Sequence, residues 1–138
     1  MEEIIIIIAE DDIGHAGLII KNLKRAGVSN KLIHFENGKD TIDYLHDNRN
    51  NKNSYLILLD IRMPIMDGIE VLEKIKNDKI LKVIPIIILT TTDNPAEVKK
   101  CHELGCSNYI TKPVNYDDFV KALHDLGLFL KIVKIPKT

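Results

Sequence analysis

Cysteine is scarce in this chain: of 138 residues, only Cys101 and Cys106 carry a thiol. Two thiols make no disulfide framework, and their spacing fits neither C-x-x-C nor a zinc site. A reduced, cytoplasmic setting is expected. Charge of one sign is also lacking, with a formal net charge of −1 and no basic run. Binding to nucleic acid through its phosphates needs clustered Lys and Arg, so no such partner is expected. Long apolar runs are missing too. The longest, Ile4–Ala9, is far too short to cross a bilayer. No positively charged segment with a following apolar region opens the chain, so neither membrane span nor signal peptide is expected. The five histidines, His15, His34, His46, His102 and His124, are scattered. They predict no shared metal site, and each is expected to be solvated or half-buried.

What is present is a repeating pattern. Ile4–Ala9 is β-branched with no polar alternation, which predicts a strand buried on both faces. Ala16, Ile19, Ile20 and Leu23 follow at helical spacing, and Gly27 stops that helix. Leu32–Phe35 predicts a second strand, and Asn37-Gly38 opens a helix carrying Ile42 and Leu45 inward. Asn48 to Ser54 is polar and Asn-rich and reads as a loop. A third strand ends at Asp60, and a third helix starts near Gly68 with Ile69, Leu72 and Ile75 buried. A loop from Asp78 to Ile84 leads to Pro85 and a fourth strand, Ile86–Leu89, closed by Thr90-Thr91-Thr92. Asn94-Pro95-Ala96-Glu97 has a cap, a first-position Pro and a third-position Glu, and its helix ends at Gly105. Tyr109–Thr111 is a fifth strand leading to Lys112-Pro113. Asn115 caps a fifth helix with Phe119, Val120, Leu123 and Leu126 as its inner stripe. Strand–helix five times predicts one domain, a parallel sheet with helices on both faces.

The strand ends carry the chemistry. In a parallel sheet they share one edge, where ligands bind. Strand 1 gives Glu10, Asp11 and Asp12; strand 3 gives Asp60; strand 4 gives Thr90; strand 5 gives Lys112. Each has a plainer reading. The acidic trio serves as cap and dipole partner of helix 1, with Asp12 the expected cap. Asp60 closes a turn, the threonines are strand-end residues, and Lys112 is a solvated Lys. Jointly they point elsewhere. Close carboxylates resist full ionisation, a cost that a divalent cation removes, and Mg²⁺ suits an all-oxygen site. Asp60 could then act as nucleophile toward phosphorus, with the metal and Lys112 neutralising the phosphoryl charge and Thr90 donating to a phosphate oxygen.

These residues resemble the receiver domain of two-component response regulators over nearly the whole chain. The carriers are Glu10-Asp11-Asp12, the segment Leu58-Leu59-Asp60-Ile61-Arg62-Met63-Pro64-Ile65-Met66-Asp67-Gly68, Pro85 through Thr90, and Leu104-Gly105 through Tyr109 to Lys112-Pro113. The resemblance implies a flavodoxin-like (βα)5 doubly wound sheet of strand order 2-1-3-4-5, with a core over about residues 3–126. It implies Asp60 as phosphoacceptor. Glu10, Asp11, Asp60 and the Arg62 backbone carbonyl would surround Mg²⁺, which Mn²⁺ could replace. Thr90 and Tyr109 would be the switch pair, Lys112 the phosphate partner, and Lys112-Pro113 a cis peptide. The donor would be a phosphohistidine on a sensor histidine kinase or phosphotransfer protein. Beyond self-catalysed phosphorylation and slow autodephosphorylation, no enzyme activity is implied. The Asn48–Ser54 loop, the Leu89–Thr92 run, Tyr109–Val114 and the tail Phe129 to Pro136 are similar to the small stand-alone regulators paired with bacterial phytochromes, though Phe129-Leu130 stands where many of those have Trp.

The tail has its own signal. Leu128, Phe129, Leu130, Ile132, Val133 and Ile135 are too many apolar groups for one face of a terminal helix. A homodimer through helix 5 and residues 127–138 is expected; the alternative is a tail folded on its own domain. With no effector domain following, output by protein–protein contact is expected, and a phosphorelay shuttle or phosphate sink uses the same chemistry. Two other classes fit less well. An Asp-nucleophile phosphatase would want a general acid two residues after Asp60, where Arg62 stands. A flavin or nucleotide binder needs a Gly/Ser/Thr loop after strand 1, where the acidic trio would repel phosphate.

Overall fold

A computed structural model describes residues 4–91, 94–113 and 115–127. Five parallel strands, β1 (Ile4–Ala9), β2 (Leu32–Phe35), β3 (Ser54–Asp60), β4 (Ile86–Thr90) and β5 (Asn108–Thr111), form one sheet of order β2-β1-β3-β4-β5. Five helices alternate with them: α1 (Ile13–Arg25), α2 (Gly38–Asp47), α3 (Gly68–Lys76), α4 (Pro95–Glu103) and α5 (Tyr116–Asp125). Both faces of the sheet are covered, as the unalternating isoleucine runs require. Ile4, Ile6, Ile8, Leu56, Leu58, Ile87 and Leu89 point into one core with Ile19 and Leu23 of α1 and Phe119 and Leu123 of α5. Ile5, Ile7, Ala9, Ile57, Leu59, Ile86 and Ile88 point into the other, with Ile42, Leu45, Leu72, Ile75 and Cys101. Alternate residues of each central strand therefore feed opposite cores, the period-two geometry of an extended chain.

Every helix starts on an Asx side chain that accepts a backbone N–H: Asp12, Asn37, Asp67, Asn94 and Asn115. Some expectations need correction. Ser54 belongs to β3 rather than to the preceding loop, because it pairs with Ile4 of β1. The segment before β4 contains a 3-10 turn at Leu81–Val83, held by Asp78, whose Oδ1 accepts from the N–H groups of Ile80 and Leu81 at 2.8 and 2.9 Å. Ile69 is only half-buried, and Val71 takes the interior position on α3. Likewise Val120 and Leu126 are half-buried, with Ala122 inside. Glu97, in the first turn of α4, also pairs with Arg62 of the loop after β3. The apolar tail, residues 128–138, and Thr92, Asp93 and Val114 lie outside the described residues. Among the described residues no helix is long and apolar enough to cross a membrane.

Two glycines set how closely helices approach the loop after β3. A Cβ on Gly68 would lie 2.2 Å from the Asp60 carbonyl oxygen, and one on Gly38 would lie 2.1 Å from that of Met66. Both neighbours are backbone and cannot rotate aside. Gly68→Ala is expected to destabilise the fold by about 2 kcal/mol or more in urea denaturation. Gly17→Ala, on an open face of α1 with nothing within 4 Å, should instead stabilise by about 0.5–1 kcal/mol. Equal effects at the two positions would contradict the close-approach account.

Candidate functional site

The strand ends converge as a parallel sheet requires. Ala9 pairs with Leu59, Asp60 with Leu89 and Thr90 with Thr111, so β1, β3, β4 and β5 finish at one edge. Glu10 follows β1 and is 1% exposed; Asp60 closes β3 and is also buried. The Lys112 ammonium reaches between them, hydrogen-bonded to Glu10 Oε1 and 3.5 Å from Asp60 Oδ1. The Lys112 backbone N–H donates to the Thr90 carbonyl at 2.7 Å, which fixes the root of that side chain. Lys112-Pro113 is cis.

Two buried carboxylates thus share one cation. Burial works against charge on Glu10, but hydrogen bonds from Lys112 and Asp60 and the ammonium charge outweigh it and hold its carboxyl below the usual range. Asp60 is the loser. Burial first, then the Glu10 carboxylate, push its carboxyl up to about 7 against the pull of Lys112. Exposed Asp11 is raised as well, by partial burial and by Glu10. Glu10, Asp11 and Asp60 each offer an oxygen, and all three atoms lie within 4.8 Å of one another. That donor set of hard oxygens, short of positive charge, fits a divalent cation of the Mg²⁺ or Mn²⁺ type.

Of the other expected residues, Thr90 is fully buried at the end of β4. Tyr109, which pairs with Ile88 and so lies on the same sheet face as Thr90, is half-buried, its ring 6.4 Å from that of His102 on α4. The Arg62 side chain reaches Glu97 of α4, 2.5 Å between Nη2 and Oε1. Asp12 is the cap of α1, its Oδ1 accepting from the His15 N–H at 2.9 Å.

Two histidines are part of the surroundings that sequence reading left scattered. His15 Nδ1 stands 3.2 Å from Lys112 Nζ and 3.6 Å from Glu10 Oε1. His34 Nε2 donates to the Glu10 carbonyl oxygen at 2.7 Å. Helical spacing signals the first, since His15 lies one turn beyond the Asp12 cap and so faces the same edge. The second depends on β1–β2 pairing, which no local pattern reveals.

A profile of the response regulator receiver domain matches residues 6–124. The response regulator Rcp1 of Synechocystis sp. is 34% identical over 136 residues, 96% of this chain and 92% of its own length. The Mn²⁺-bound form of Rcp1 gives a TM-score of 0.75 at 32% identity, covering 96% of this chain and 99% of the other. A response regulator receiver domain from Rhodospirillum rubrum is 42% identical with a TM-score of 0.77, covering 97% and 98% of the two chains. The bacteriophytochrome response regulator RtBRR is 34% identical with a TM-score of 0.82, covering 99% of this chain and 85% of that one.

The electrostatics give a test in metal-free protein. An unfolded Asp titrates near 3.8, while folded Asp60 keeps its proton to about 7. Between those values the native state binds the extra proton, so its contribution to stability is complete at low pH and is lost as pH rises through 7. In EDTA, Asp60→Asn should therefore melt higher than wild type at pH 8, by several degrees, since about 1 kcal/mol moves a domain of this size by about 3–5 °C. The gain should shrink steadily toward pH 4. A gain independent of pH would assign the effect to packing instead of charge.

Proposed function

The chain belongs to the response regulator receiver family, and from that membership we propose that it accepts a phosphoryl group on Asp60 and signals through a protein-contact surface. The observation that carries this reading is the buried Asp60 carboxylate at the sheet edge, flanked by Glu10 and Lys112. A phosphohistidine donor supplies the group. An Asp60 carboxylate oxygen bonds to phosphorus as the phosphorus–nitrogen bond breaks, and the imidazole leaves with its nitrogen pair. Glu10, Asp11, Asp60 and the Arg62 backbone carbonyl would hold Mg²⁺, or Mn²⁺ in its place. The bound cation supplies charge neutralisation for the phosphoryl oxygens.

The remaining tasks belong to this chain's side chains. Lys112 pairs with the phosphoryl group once Asp60 no longer carries a simple carboxylate, as a compact point charge suits. Buried Thr90 offers its hydroxyl to a phosphoryl oxygen, and Tyr109 on β5 follows the Thr90 movement as the second half of the switch. The equilibrium biased in this way involves α4, β5 and α5. Likeness to RtBRR and Rcp1 supports a phytochrome-like sensor histidine kinase, or a phosphotransfer protein, as donor. The apolar residues Leu128, Phe129, Leu130, Ile132, Val133 and Ile135 support a homodimer through α5 and the tail.

Incubation with Mg²⁺ and acetyl phosphate or phosphoramidate, read by intact mass, tests the chemistry. Wild type should gain one acid-labile phosphoryl group; Asp60→Asn, or wild type in EDTA, should gain none. Equal labelling of the mutant removes Asp60 from the role. Light scattering at micromolar concentration tests the assembly: a dimer mass is expected, and monomer mass with and without a phosphoryl mimic overturns it.

A further inference from the structure

Lysine is a poor locator of its own charge. A flexible four-carbon stem ends in an ammonium whose three protons lie in no fixed plane. In Lys112 that head is nevertheless held. Its side chain is only 8% exposed, so water offers it few alternatives. Among the described residues three acceptors meet the ammonium: Glu10 Oε1 is hydrogen-bonded to it, His15 Nδ1 stands at 3.2 Å and Asp60 Oδ1 at 3.5 Å. Glu10 and Asp60 belong to the acidic site. His15 comes from α1, which carries none of the residues assigned to phosphoryl transfer.

The contact has a defined sense. An ammonium has protons to give and no lone pair, so Nδ1 must accept, which places the ring proton on Nε2. Glu10 Oε1 lies 3.6 Å from the same Nδ1, beyond hydrogen-bond length. The imidazole therefore serves the lysine rather than the carboxylate. Its root is fixed as well, because the His15 N–H donates to Asp12 Oδ1 at 2.9 Å, the cap that starts α1. Leu18, Ile19 and Pro113 line a cavity of about 210 Å³ beside His15 and Lys112. Removing the imidazole would widen this space and leave the Lys112 head one acceptor short.

We propose that His15 is a positioning residue for phosphoryl transfer. Its Nδ1 holds the Lys112 ammonium in place, so that Lys112 exchanges the Asp60 oxygen for a phosphoryl oxygen while keeping its bonds to Glu10 and His15. The inference rests on Asp60 as phosphoacceptor. Charge that is fixed before the reaction stabilises the transition state without reorganisation at the moment of transfer. No proton moves to or from His15 in this role.

Time courses of phosphoryl gain with Mg²⁺ and acetyl phosphate, read by intact mass, compare wild type with His15→Ala and His15→Asn. Asparagine puts its Oδ1 where the imidazole has Nδ1, whereas alanine has no acceptor. His15→Ala should label about fivefold more slowly or worse, and His15→Asn within about twofold of wild type, since small misplacements of a reacting group are costly. A role in the helix alone predicts the reverse order, because alanine favours a helix more than asparagine does. The melting temperature of His15→Ala should accordingly be unchanged or higher. In protein without phosphodonor at pH 8, long-range nitrogen–proton NMR of the His15 ring should show Nδ1 as a bare acceptor and the proton on Nε2. A proton on Nδ1 overturns the proposal. So does a wild-type rate in His15→Ala, or equal slowing in the two variants, and none of these outcomes touches Asp60. Absence of label in wild type removes Asp60 from its role, and this proposal with it.

Discussion

One ammonium serves two buried carboxylates. Lys112 is bonded to Glu10 and stands 3.5 Å from Asp60; it cannot fully compensate both. The result is division of labour between chemically similar groups. Glu10 keeps its charge, and Asp60 is driven toward its protonated form. A carboxyl in that position is poorly settled as long as positive charge is short. Binding a cation or accepting a phosphoryl group changes the balance, and both changes act on residues whose backbones are locked into the central strands. The reactive residue is the least comfortable member of an otherwise satisfied interior.

The fold serves this imbalance by bringing chain ends together without flexibility. Glu10 N–H donates to the Phe35 carbonyl, and Lys112 N–H donates to the Thr90 carbonyl, so neighbouring strands hold the roots of both side chains. Ile8 and Leu58, two positions before Glu10 and Asp60 on the same strands, are fully buried and leave little space for relaxation. The loop after β3 is tight as well. Met66 N–H reaches the Pro64 carbonyl at 2.7 Å, with Ile65 between them at φ 68°. A β-branched residue in that region costs about 1–2 kcal/mol, and Ile65 recovers nothing by burial, being 75% exposed. The strain is tolerated because Gly68 and Gly38 pin the loop on either side.

The Arg62–Glu97 pair connects this loop to α4. It bridges 35 positions in sequence, from two residues after Asp60 to the first turn of the helix. Glu97 holds a favourable place near the helix N-terminus, and Arg62 completes its charge balance. A rearrangement around Asp60 therefore has a direct mechanical neighbour in α4, next to the half-buried contact of His102 with Tyr109.

Much of this was readable from the chain itself. Isoleucine runs without alternation require strands covered on both faces, and Asx–helix starts at Asp12, Asn37, Asn94 and Asn115 are local chemistry, so the element order followed from residue types alone. The acidic trio, Asp60, Thr90 and Lys112 stood at strand ends, and parallel strands share an edge. Pairing was different. That Ile8 lies beside His34, and so brings its imidazole to the Glu10 carbonyl, depends on register between distant segments. So do the Arg62–Glu97 bridge and the unequal shares of Glu10 and Asp60 in Lys112. Sequence determined which groups exist and which element carries each, because periodicity and capping are set by near neighbours. Only the tertiary structure decided which charges lie within reach of one another and which are dry, because Coulomb and desolvation energies depend on distance and burial.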